Sequence, residues 1–88
     1  MPMFRKKPVV IEAMRFTGDN VNAIWDAFGA DGIYGPTEKN PGFLILTTAH
    51  GDEAPCRPGD WVIPDGKPGT FYPCKPDIFA ATYEEVQL

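Results

Sequence analysis

His50 and Cys56 are the two side chains whose types best suit covalent chemistry. A thiol beside an imidazole can be activated as a nucleophile. Six positions across a turn would let the two approach, but nothing in the sequence orients the histidine toward the thiol. The chain contains no serine, which removes a serine nucleophile altogether. Asp52 and Glu53 are adjacent, as are Glu84 and Glu85. Neighbours in extended chain point to opposite faces, so neither pair converges on one substrate atom. Gly66-Lys67-Pro68-Gly69 lacks the spacing and the strand–loop–helix setting of a phosphate loop. His50 is the only histidine, and Cys56 and Cys74, the only cysteines, form no C-x-x-C pair. A four-ligand zinc site is therefore not expected within one chain. Both thiols are expected to be reduced and packed as small hydrophobes. These residues imply a protein that is not an enzyme and uses no metal or cofactor.

Binding chemistry is better supplied. Trp61, Phe71 and Tyr72 lie on two runs that should pair as adjacent strands, with Arg57, Lys67 and Lys75 near their ends. Alternation sends one of Phe71 and Tyr72 inward and the other outward. An exposed ring beside Arg or Lys can stack on a nucleobase while the cation holds its phosphates. Arg15, on the first expected strand, can join them. The residues assigned to ligand binding are thus Arg15, Arg57, Trp61, Tyr72 and Lys75. Small sheets with exposed edges often complete such sites by self-association, so a homo-oligomer is expected. The net charge of −4 argues against a DNA-binding role, which needs clustered Lys and Arg. The basic run Arg5-Lys6-Lys7 reads as a solvated segment. No apolar run approaches the roughly 20 residues of a membrane span, and no secretion signal is expected at the start.

Eighty-eight residues make one domain, 1–88, with room for one small core. Ten prolines and nine glycines are spread along the chain and read as turns rather than disorder. Residues 9–16 alternate as a strand, with Val10, Glu12, Met14 and Phe16 on one face and Val9, Ile11, Ala13 and Arg15 on the other. Each face carries a charge, so Glu12 and Arg15 are expected to be half-buried and partnered. Val21, Ile24, Trp25 and Phe28 recur at the spacing of one helical face, capped by Asp19 or Asn20 and ended by Gly29. Residues 30–42 form a loop rich in turn residues with a brief strand at Gly32-Ile33-Tyr34, and are the segment expected to be most mobile. Residues 43–48 read as a central strand, residues 53–56 as a short edge strand, and Arg57-Pro58-Gly59-Asp60 as a type II turn. Trp61-Val62-Ile63 and Thr70-Phe71-Tyr72 form a hairpin, Asp77 caps a short helical turn through Thr82, and residues 83–86 trail off extended. The fold class is α+β: a small, strongly bent antiparallel sheet, or partly closed barrel or roll, with one amphipathic helix and a short C-terminal helical turn.

Phe4-Arg5-Lys6-Lys7-Pro8-Val9-Val10-Ile11-Glu12-Ala13 with Phe16-Thr17-Gly18, and Pro58-Gly59-Asp60-Trp61-Val62-Ile63 with residues 71–79 and 81–84, resemble a family of small proteins encoded by tailed bacteriophages and prophages. The resemblance covers both ends and skips residues 29–53. Pro64-Asp65-Gly66-Lys67-Pro68 stands where a shorter turn is expected. The resemblance implies a phage origin and a role in the cytoplasm of an infected bacterial host, and carries over no catalytic residue. With no catalytic apparatus, the expected function is stoichiometric binding during infection. The first expectation is counter-defence by sequestering a small nucleotide-type immune signal. The alternative is an inhibitor that docks on a host or phage protein, and a nucleotide-processing enzyme ranks last.

Overall fold

The computed structural model describes residues 2–3 and 10–85. Two three-stranded antiparallel sheets and two helices make it α+β, and neither sheet closes into a barrel. Met14–Arg15 (β1), Trp61–Pro64 (β5) and Phe71–Cys74 (β6) form one sheet in the order β1-β5-β6. Ile33–Tyr34 (β2), Leu44–Thr47 (β3) and Glu53–Cys56 (β4) form the other in the order β2-β3-β4. The continuous apolar run is thus central in its sheet, as its composition predicts, because its partners cover both edges.

The core lies where the inner faces of the two sheets meet. Leu44 and Leu46 alternate inward along β3, opposite Cys56 on β4 and Ile33 on β2. Val62 and Phe71 come from the other sheet, and Phe16 follows β1. Val21–Phe28 (α1) adds Ile24, with Val21, Trp25 and Phe28 packed against the cluster. Its apolar positions were legible from their spacing, and tertiary packing is what holds so short a helix. Gly29, with a φ of 87°, ends α1, and its N–H donates to the Trp25 carbonyl at 2.7 Å. Asn20 stands at the N-cap without capping through its side chain. Its amide instead donates to the Arg15 carbonyl at 2.8 Å and accepts from the Thr17 N–H at 2.9 Å, tying β1 to α1.

The first strand is shorter than its alternation predicts. Only residues 14–15 pair with β5, residues 10–13 run beside the fold without a strand partner, and Val9 lies outside the described residues. Alternation alone does not make a strand when no neighbouring backbone lies within reach. Glu12 and Arg15, expected to be half-buried, are both exposed.

The turn at residues 57–60 forms as read. Gly59 has a φ of 97° and the Asp60 N–H donates to the Arg57 carbonyl at 2.9 Å. The Asp60 carboxylate is buried and accepts from the Arg57 N–H at 3.1 Å. Pro76–Thr82 (α2) starts two positions earlier than predicted: Lys75 is the N-cap and Pro76 opens the helix. Asp77 lies in the first turn, where a carboxylate is favoured by the helix dipole, rather than at the cap.

Candidate binding site

Strand register brings two of the predicted residues, Arg15 and Trp61, into one row. Arg15 pairs with Trp61, which pairs with Cys74, so all three share the outer face of the β1-β5-β6 sheet. Ile63 and Tyr72 form the next row on that face. Phe71 points the other way, into the core, which settles the alternation between Phe71 and Tyr72. Lys75 follows Cys74 at the start of α2 and is exposed. Arg15 and Pro76 both lie within 4 Å of where a Cβ on Gly59 would sit, so Arg15 and the start of α2 are neighbours. Arg15 also donates from Nε to the Gly59 carbonyl at 3.2 Å. Arg57 does not join the row: its guanidinium lies 5.3 Å from the ring centroid of Phe43, a cation–π contact.

The aromatic platform is partly occupied by the protein itself. Phe79 of α2 lies on Trp61 with ring centroids 4.0 Å apart and planes 5° from parallel. Tyr83 lies on Phe79 in turn, at 4.9 Å. The Tyr83 and Tyr72 hydroxyls are 3.1 Å apart. Burial, followed by the hydrogen bond to Tyr83, raises the Tyr72 hydroxyl to about 12, so it stays protonated as a hydrogen-bonding group. Phe79 and Tyr83 were not among the predicted site residues. Phe79 lies within α2 and Tyr83 is its C-cap in extended backbone, so no helical spacing in the sequence marked the pair.

This three-ring stack forms one wall of a cleft of about 600 Å³. Val10, Ile11 and Met14 line the cleft as well, and Ala27 and Phe28 of α1 contribute to it. Its charged lining residues, among those described, are Glu12, Glu84 and Glu85, all acidic and exposed. Of the predicted residues only Trp61 lines it; Arg15, Arg57, Tyr72 and Lys75 do not. Sequence pattern could not have found the cleft, because its lining comes from positions far apart in the chain. A second, shallower hollow of about 340 Å³ shares Ala27 and Phe28 and includes Lys67 and Pro68 of the β5–β6 loop.

The thiol–imidazole pair does not form. His50 sits exposed in the β3–β4 turn, whereas Cys56 pairs with Leu44 at the far end of that hairpin, about 10 Å along the strand. Cys56 is fully buried. Burial, with Asp60 adding to it, pushes its thiol from 9.0 up to about 12. Burial raises Cys74 as well. Both cysteines are free, as expected. Among the described residues no group of His, Cys, Asp and Glu could hold a metal ion, and no helix is long and apolar enough to cross a membrane.

One measurement follows from Cys56. Its folded value lies above its unfolded one, so its contribution to stability is complete below pH 9 and falls as the pH rises from 9 toward 12. A thiol reagent at pH 8 should label Cys74 first and reach Cys56 only at the rate of unfolding. Rapid labelling of Cys56 in the folded protein would contradict its burial.

No family model, curated protein or solved structure matches this chain.

Proposed function

We propose that this protein acts by stoichiometric binding and that the cleft between the Trp61–Phe79–Tyr83 stack and residues 10–14 is where it docks on a partner protein. The observation that carries this reading is the chemistry of the cleft: apolar and aromatic walls with acidic residues at its surface. Its volume falls in the range of binding sites, and aromatic side chains supply much of the energy of protein interfaces. Acidic residues disfavour a ligand bearing several phosphates. The resemblance of the two terminal blocks to phage proteins makes the setting an accessory role during infection, with a host or phage protein as the partner.

Sequestration of a small nucleotide-type signal is a second reading. It is favoured by the Arg15–Trp61 row with Lys75 beside it. A base would have to stack on the part of Trp61 that Phe79 leaves free, or displace Phe79.

Ala27→Trp separates the two. Ala27 is exposed and lines the cleft, so a large ring there fills the cleft without disturbing the core. The immobilised wild-type protein is expected to retain one stoichiometric protein from lysate of infected bacteria, and Ala27→Trp to lose it while keeping its circular dichroism. Retention by both would remove the cleft from the function. A panel of cyclic and ADP-ribose-type nucleotides should leave the melting temperature unchanged. A nucleotide at a hundred times its Kd would raise it by about 10–20 °C. Such a rise, lost in Arg15→Ala and Lys75→Ala but kept in Ala27→Trp, would establish the second reading.

A further inference from the structure

We infer that the occupant of the cleft is a basic linear segment of the partner protein: one or two large apolar side chains anchored among the aromatic rings, flanked by Lys or Arg. This rests on the cleft being the docking site and specifies what it takes.

The acidic residues come from two separate stretches. Glu12 belongs to the segment beside β1, and Glu84 and Glu85 follow α2. Carboxylates brought together around an apolar cleft focus a negative potential into it. Arg15 and Lys75, the cations near this sheet, do not line the cleft: Arg15 donates to the Gly59 carbonyl, and Lys75 is exposed at the start of α2. The net charge of −4 adds a longer-range attraction for a cationic partner. An anionic segment would have to bring its charges against Glu12, Glu84 and Glu85, which disfavours it.

The shape suits a stretch of polypeptide. The main cleft and the second hollow meet at Ala27 and Phe28. A compact ligand would fill one of them, whereas a chain can place an anchor in the first and continue over the end of α1 into the second. Lys67 lies at that far hollow. The preferred segment therefore has its cationic end toward Glu84 and Glu85 and a neutral or acidic end toward Lys67. Val10, 70% exposed, offers further apolar contact at the cleft wall.

The probe is a displayed library of random twelve-residue peptides, selected on the wild-type protein, on Glu12→Lys/Glu84→Lys/Glu85→Lys and on Ala27→Trp. The wild type is expected to enrich peptides that pair Leu, Phe or Trp with Lys or Arg. Their affinity should fall about tenfold or more in the triple variant, and weaken with added salt. The triple variant should enrich Asp and Glu in place of Lys and Arg, and Ala27→Trp should enrich neither. Enrichment that depends on an open cleft but shows no basic bias would overturn the inference while leaving the docking site in place. No cleft-dependent enrichment would overturn both. Arg5→Gln/Lys6→Gln/Lys7→Gln tests the chain's own basic run: binding gained only in that variant would make the run the occupant and overturn a partner segment. Sedimentation tests a second copy: a dimer dispersed by Ala27→Trp would likewise overturn it.

Discussion

Phe16→Ala is expected to destabilise the protein by about 3–5 kcal/mol. Phe16 is wholly buried and belongs to the core cluster that draws residues from both sheets and from α1. Its backbone is committed as well. The Phe16 N–H donates to the Asp60 carbonyl at 2.9 Å, and its carbonyl accepts from the Gly59 N–H at 2.6 Å. Truncation leaves a ring-sized cavity that the surrounding backbone, held by those bonds, cannot close. A domain of this length has a total stability of about 4–13 kcal/mol, so much of the variant would be unfolded at 37 °C. Urea unfolding at 15 °C gives the number, with Phe16→Leu as the milder control. A loss under about 1 kcal/mol would mean that the ring is not part of the core.

Gly32→Ala should have a comparable effect for a different reason. Gly32 has a φ of 80°, a conformation that costs an L-residue about 1–2 kcal/mol. A Cβ there would also overlap the Gly69 carbonyl oxygen and lie 2.8 Å from the Gly69 carbonyl carbon. Both obstacles are backbone, so no side chain can rotate out of the way. The Gly32 carbonyl also accepts from the Thr47 N–H at 2.9 Å, which holds the start of β2 against β3. Strain and overpacking together come to about 2–5 kcal/mol. Gly42→Ala is the matched control, since Gly42 has a φ of 83° but open space around its Cβ position. It carries the conformational penalty without the clash. Equal losses at the two positions would show that the contact between Gly32 and the β5–β6 loop does not constrain the fold.

The same contrast marks what could be read along the chain. The Val21–Phe28 helix, the Leu44–Thr47 strand and the turn at 57–60 were all legible, because each is specified by residues within a few positions of one another. The extent of β1 was not. Residues 10–13 alternate as well as residues 14–15 do, and only the position of β5 decides which of them pair. The candidate site divides along the same line. Arg15, Trp61 and Tyr72 do share one face, as period-2 alternation on paired strands allows. Arg57 lies over Phe43, a contact across more than ten positions of chain that no local pattern encodes.

Local sequence pattern was enough for the α+β class, for the α1 helix and the central strand, and for the corners made by Pro and Gly. The tertiary structure decided that Phe79 and Tyr83 cover Trp61, and that Glu12, Glu84 and Glu85 come to one apolar cleft. The physical reason is range. Backbone conformation and side-chain alternation act over a few residues, whereas a cleft needs walls from distant parts of the chain. Which parts become walls is decided only when the sheets and helices bury their apolar faces together.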